Sequence, residues 1–155
     1  MREQQIDMWE AATEADAVCI TTNGTITSRR RGVMGRGNAL EAVSRYAAAC
    51  NVNLPLKLGH YLHAYGNHVG VLMPPPPVTL VVFPVKHEWM QTADVELIKR
   101  SLRELVALAD KLQWQQVVLP RPGVGNGGLD WETPDGGVRE LCATALDDRF
   151  LVVSK

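Results

Sequence analysis

Apolar and polar positions along this chain follow two rhythms. Short, nearly continuous apolar runs read as strands: "AVCITT" from Ala17 to Thr22, "NHVGVLM", "VTLVVFPV", "QQVVLP" and "RFLVVS". "QQIDMW" near the N-terminus predicts a short first strand. Between these runs the apolar spacing becomes helical. "NALEAVSRYAAAC" predicts one helix, and "LKLGHYLHAYG" a second that Gly66 stops. The clearest helix runs from Asp94 to about Leu112. There Val95, Ile98, Leu102, Leu105, Leu108 or Ala109, and Leu112 recur at helical spacing. Asp94 and Glu96 suit its positive end, and Lys111 its negative end. Thr133-Pro134 predicts the N-cap and first turn of a last helix. Pro74, Pro75, Pro76 and Pro77 cannot donate to a ladder and predict a stiff surface connection.

Strands alternating with helices predict an α/β fold of three layers, α/β/α, with a mixed, largely parallel central sheet covered on both faces. One domain over residues 1–155 is the expected organisation. Ligands of such sheets sit at the carboxyl ends of the strands, and the residues of chemical interest here fall at those ends.

Composition changes this picture little. Hydrophobic residues make up 46% and charged residues 21%, with a formal net charge of −1 and no basic tail. Bulk charge therefore does not steer the protein to nucleic acid or to an anionic membrane, so a polyanionic partner must be held by local geometry. No apolar run approaches the ~20 residues that span a bilayer. "MREQQIDMWE" has no signal-peptide core, so the expectation is a cytoplasmic protein without a membrane partner. Cys19, Cys50 and Cys142 are odd in number and form no C-x-x-C, which suits reduced thiols. His60, His63 and His68 lack an acidic or cysteine cluster, so no metal is expected. Arg29, Arg30 and Arg31 fall short of a nucleic-acid patch but could reach a phosphate near a substrate.

The glycines carry more information. Within "LPRPGVGNGGLDWE", from Leu119 to Glu132, Gly123, Gly125 and Gly128 spell G-x-G-x-x-G. A dinucleotide site needs that motif to open a βαβ unit, with an acidic residue ~20 positions later at the tip of the next strand. Asp147 and Asp148 have the spacing but precede "RFLVV", which puts them at the wrong end of the sheet. Gly123, Gly125, Gly127 and Gly128 are also too many for one tight turn, since each adds conformational entropy to the unfolded chain. That density suits backbone N–H groups approaching a ligand. "GVMGRG", with Gly32, Gly35 and Gly37, also stands between a strand and a helix. Two such loops at one sheet edge can grip a diphosphate from both sides.

With these strings in place the chain resembles the macro domain family of ADP-ribose-binding modules along nearly its whole length. "IDMWE" resembles the family's first-strand segment, which implies that Asp7 accepts from the adenine amino group with Met8 beside it; Ile6 stands where glycine is usual. "AVCITTNG" and "GVMGRGNA" resemble the strand, asparagine and distal-ribose loop. This implies contacts from Asn23, Val33, Met34, Gly35, Arg36 and Gly37, with Arg36 where lysine is usual. "LPRPGVGNGGLDW" resembles the phosphate loop, implying contacts from Pro122, Gly123, Val124, Gly125, Asn126, Gly127, Gly128 and Leu129. "FPVKHEW" resembles the segment carrying the catalytic lysine in the branch that includes terminal ADP-ribose glycohydrolase and the antitoxins that strip ADP-ribose from DNA. Lys86 takes that role. Gly127 occupies the place of the glycohydrolase's loop aspartate, as in the DNA-directed members.

The residues suit these roles chemically. An asparagine offers the ribose hydroxyls both donor and acceptor, and a lysine at the end of an apolar strand can serve as nucleophile or acid–base group. Asp7 could equally cap a turn, and Asn23 could be a plain Asn-Gly turn. Trp89 can stack on a ring or cover the sheet edge, and Asp130 can position a water or cap a loop. The resemblance implies a monomeric, cofactor-independent hydrolase that takes ADP-ribosyl groups from DNA or protein. A non-catalytic ADP-ribose reader and an ADP-ribose-1''-phosphate phosphatase are the alternatives.

Overall fold

The computed structural model describes all residues from 1 to 155. Six strands form its sheet: β1 (Arg2–Gln5), β2 (Ala17–Asn23), β3 (Gly70–Met73), β4 (Thr79–Lys86), β5 (Val117–Pro120) and β6 (Phe150–Ser154). The helices are α1 (Met8–Ala12), α2 (Gly37–Cys50), α3 (Leu54–Tyr65), α4 (Val95–Leu112) and α5 (Gly137–Ala145). Strand order is β1-β6-β5-β2-β4-β3, with four parallel pairings and β3 antiparallel to β4 at the edge. This is the expected mixed, largely parallel sheet.

The side-chain period of two divides the apolar strands between two cores. Val18 and Ile20 of β2, Leu80 and Val82 of β4, and Leu151 and Val153 of β6 pack on one face with α1, α2 and α3. Ala17, Cys19, Val81, Phe83, Val85, Phe150 and Val152 pack on the other with α4 and α5. Because both faces are covered, these strands show no polar alternation in sequence.

α4 buries Leu97, Ile98, Ser101, Leu102, Leu105 and Ala109 along one stripe. Its predicted terminal contacts, Val95 and Leu112, are exposed at the first and last positions of the helix. Asp94 is its N-cap, accepting from the Glu96 amide.

Pro84 lies inside β4, where a proline ordinarily disrupts a ladder. It is tolerated because β3 pairs only with Leu80 to Val82, so β4 has lost that neighbour by Pro84. The Pro84 carbonyl is met instead by the Ser101 hydroxyl at 2.7 Å.

Two expectations need correction. The first strand ends at Gln5, not Trp9, because Asp7 Oδ1 accepts from the Trp9 and Glu10 amides and starts α1 there. The last helix begins at Gly137, not at Thr133-Pro134. Thr133 to Gly136 close a turn in which the Gly136 amide donates to the Thr133 carbonyl, so proline serves turn geometry there. Pro74 to Pro77 are exposed, as expected of a surface connection.

Ser101 is fully buried, so replacing it with alanine strands the Pro84 carbonyl. Ser101→Ala should cost about 1–3 kcal/mol of stability in urea unfolding. Leu105→Ala, which opens a cavity in the same face, should cost about 2–5 kcal/mol.

Candidate functional site

The carboxyl ends of β5, β2 and β4 lie side by side. After β2 the chain crosses to the face covered by α2, while after β4 and β5 it crosses to the face of α4 and α5. Adjacent loops that depart to opposite faces leave a crevice between them. Here it is a cleft of about 530 Å³.

The first wall is Val33 to Gly37. Met34 is buried and anchors it to the core. Asn23 ties the wall to β2: its Nδ2 donates to the Val33 carbonyl at 3.1 Å, and its Oδ1 accepts from the Thr25 amide at 3.1 Å. One donor and one acceptor position of that amide remain free. Asn38 makes a second tie, its Oδ1 accepting from the Thr21 amide at 2.8 Å. Arg36 precedes α2 as N-cap and gives it no side-chain cap. The first-turn amides of Gly37, Asn38 and Ala39 therefore lack intrahelical partners where these residues line the cleft.

Arg121 to Leu129 form the second wall. Gly123 has φ +75°, and a Cβ there would come within 2.7 Å of Ile98. The Leu129 amide donates to the Gly123 carbonyl, and the Ala93 amide to that of Gly127 at 2.8 Å. Gly37, at φ +59°, faces this wall, and a Cβ on it would stand 3.1 Å from Asn126 Nδ2. Gly127 has no positive φ; its constraint is the Ala93 methyl, 3.1 Å from where a Cβ would lie. Gly35 differs from all of these. Its φ is not positive, and no atom lies within 4 Å of the place a Cβ would take. The fold gives no reason for glycine at that position.

Lys86 stands between the walls. Its Nζ donates to the Asn126 carbonyl at 3.3 Å and to the Trp89 carbonyl at 3.4 Å. An ammonium has three donors, so one remains for the cleft. The Lys86 carbonyl accepts from Asn67 Nδ2 at 3.0 Å, which fixes the strand end. The following loop is pinned by Trp89, whose amide donates to Thr25 Oγ1 at 2.9 Å, and by the 2.7 Å pair of His87 Nε2 and Asp94 Oδ2. The His87 hydrogen bond, helped by the Glu96 amide, holds the Asp94 carboxyl below its ordinary range.

Of the residues singled out from sequence, the cleft brings together Asn23, Val33, Met34, Gly35, Arg36, Gly37, Lys86, Gly123, Val124, Asn126, Gly127 and Gly128. Trp89 also lines it and is 48% exposed. Asp7, Met8, Pro122, Gly125 and Leu129 stand outside the lining. Asp7 follows β1, which β6 separates from the three central strands. Its carboxylate caps α1 and pairs with Lys155 at 3.0 Å, and Lys155 is the main cause of its lowered pKa. Met8 and Pro122 are buried, Leu129 packs against the α4/α5 core, and Gly125 lies on the loop's exposed turn. Asp130 is exposed and also lies outside the cleft.

Sequence reading missed Thr21, Thr22, Asn38, Ala39, Met90, Gln91, Thr92 and Arg121, all of which line the cleft. Polar residues closing an apolar strand were an available signal for Thr21 and Thr22. Thr22 is 4% exposed, and its Oγ1 has no hydrogen-bond partner within the protein. No local signal marked Met90 to Thr92.

A macro domain family model matches residues 38–134. A DNA ADP-ribosyl glycohydrolase of Mycobacterium tuberculosis is 32% identical over 102 residues, which is 65% of this chain and 29% of that protein's length. The chain thus corresponds to under a third of that relative. The solved macrodomain of Mycobacterium tuberculosis DarG superposes with a TM-score of 0.74 at 25% identity, covering 99% of this chain and 97% of that one. The macrodomain of Thermus aquaticus DarG gives a TM-score of 0.71 at 25% identity, covering 99% and 97%.

Two of the cleft glycines should respond differently to alanine. Gly37→Ala meets a positive φ and the Asn126 amide, and should lower stability by about 1 kcal/mol or more. Gly35→Ala meets neither, and should leave the thermal midpoint unchanged or slightly raised. Equal melting of the two variants would contradict this assignment.

Proposed function

The chain belongs to the macro domain family, and on that premise we propose that it binds ADP-ribose and hydrolyses the ADP-ribosyl linkage of modified DNA. The diphosphate lies between the two glycine-rich walls, against the free first-turn amides of α2 and the backbone of the second loop. The distal ribose reaches Asn23, whose free donor and acceptor match its hydroxyls. The adenine end extends along the sheet edge toward Asp7.

The observation that carries the catalytic reading is Lys86, held at the junction of both walls with one N–H left for the cleft. Water adds to the anomeric carbon as the bond to the modified group breaks, and the departing atom must take up a proton or a hydrogen bond. Lys86 supplies that donor, and the proton shed by the added water restores the ammonium. Its two carbonyl contacts favour this role over attack on the anomeric carbon, which requires a free lone pair. Gly35 supports the placement, since a close ligand explains a glycine that the fold does not require.

The DNA substrate is supported by the relatives' activity and by Gly127, which stands where the terminal glycohydrolase branch carries an aspartate. Three free thiols, with Cys19 and Cys142 buried, suit a reducing, cytoplasmic setting.

ADP-ribose should bind with micromolar-range affinity, roughly −8 kcal/mol by calorimetry. Lys86→Ala should leave that affinity within a few-fold while release of ADP-ribose from modified DNA falls about 10²-fold or more. Lys86→Arg keeps a donor and should retain part of the activity; complete loss there with full binding would point to nucleophilic attack. Undiminished turnover by the alanine variant would move the chemistry away from Lys86, and turnover by neither protein would leave an ADP-ribose reader.

A further inference from the structure

We propose that the mouth of the cleft is a surface for the single strand flanking the modified nucleotide, with Trp89 as a stacking platform and Arg29, Arg30 and Arg31 as phosphate contacts. The inference rests on the DNA-directed reading above and assigns residues to the part of the substrate that lies outside the cleft.

Three of the exposed large apolar side chains cluster here: Ile26 at 41%, Trp89 at 48% and Met90 at 64% exposure. They lie on two loops, and the Trp89 amide joins these through its bond to Thr25 Oγ1 at 2.9 Å. Trp89 and Met90 also line the cleft, and the Trp89 carbonyl accepts from Lys86 Nζ at 3.4 Å. The indole thus stands within one turn of chain from the amine that faces the linkage. A group attached to the anomeric carbon leaves the cleft beside it. An exposed indole presents a flat apolar face that any unpaired base can cover.

The charge pattern points the same way. From Gly24 to Leu40 the chain holds four arginines and no carboxylate, in a protein whose net charge is −1. Arg29 to Arg31 occupy the tip of a small hairpin. Its base is the Ile26–Gly32 bridge, and it is closed by the Thr27 amide donating to the Arg31 carbonyl at 2.8 Å. Arg30 sits at φ +63°, a conformation uncommon outside glycine and asparagine. Arg29, Arg30 and Arg31 form no ion pair, as is true of most arginines here outside Arg100, Arg139 and Arg149, but they alone are three in a row. The loop that carries Trp89 holds one carboxylate without an ion pair, Glu88, while Asp94 at its end is committed to His87. Three guanidinium groups without an ion pair, on a hairpin that packs its backbone against Gly59 of α3 and is tied to the tryptophan loop through Thr25, match a phosphate backbone with splayed bases. A duplex would keep its bases stacked and leave the indole unused.

The test is fluorescence anisotropy with a labelled, unmodified oligothymidylate of about 12 nucleotides, run over a salt series beside ADP-ribose calorimetry. The wild type should bind the strand with affinity that falls as salt rises. Arg29→Ser/Arg30→Asn/Arg31→Ser, with asparagine chosen to keep the positive φ, should reduce the salt slope by about 2, as expected for three lost phosphate contacts. Its ADP-ribose affinity should be unchanged, which also certifies its fold. Trp89→Ala should weaken strand binding by about five-fold or more with the slope retained, and Trp89→Phe should restore most of it. Strand binding that is absent in the wild type, or equal in all variants, overturns the inference while ADP-ribose binding leaves the cleft reading intact. Loss of affinity for an ADP-ribosylated peptide in the arginine variant, with no change for the oligonucleotide, would give the surface to a protein partner and overturn it as well. Failure of the wild type to bind ADP-ribose would instead sink the proposed function.

Discussion

The site depends on the parallel pairing of β2 with β4 on one side and β5 on the other. Three parallel strands must all end at the same edge, so three loops are delivered to one place. Each strand then feeds a helix, and the helix after β2 lies on the opposite face from those after β4 and β5. The loops therefore separate as they leave the sheet. The cleft is a geometric consequence of that divergence and needs no further element to form it.

Backbone contacts hold the walls of the cleft in place, and its glycines differ in what constrains them. Gly37, Gly123 and Gly128 have positive φ, so the fold itself needs them. Gly35 has neither positive φ nor a neighbour to avoid, so the fold does not require it. A helix that starts without a side-chain cap adds to the same surface, because its first amides are left for an anion. Geometry rather than net charge suits this cleft to a phosphate, in a protein carrying a formal charge of −1.

Lys86 joins the fold to the proposed chemistry. Its carbonyl is fixed by Asn67 from beyond α3, and its amine bridges the carbonyls of Trp89 and Asn126. One side chain thus links the second wall to the loop that carries the exposed indole. The same loop is tied back through Thr25 to the hairpin bearing three unmatched arginines. The interior of the cleft and its mouth are parts of one hydrogen-bonded unit, so a substrate that engages both is held in a single register.

Much of this was legible along the chain. The buried strands announced themselves as apolar runs and α4 by its spacing, because burial on two faces or one stripe leaves a local period. The paired glycine loops, Asn23 and Lys86 were legible as residue types at strand ends. The first and last helix starts were misread because Asp7 and Pro134 each suit more than one local structure, and packing chose between them. The sequence by itself determined the layers, the loop chemistry and the lysine. Only the tertiary structure decided that Asn126 would meet an amine 40 residues away, that Thr25 would hold Trp89, and that Asp7 would lie a strand beyond the cleft. These contacts follow from strand order, which joins segments distant along the chain and leaves no periodic trace within any of them.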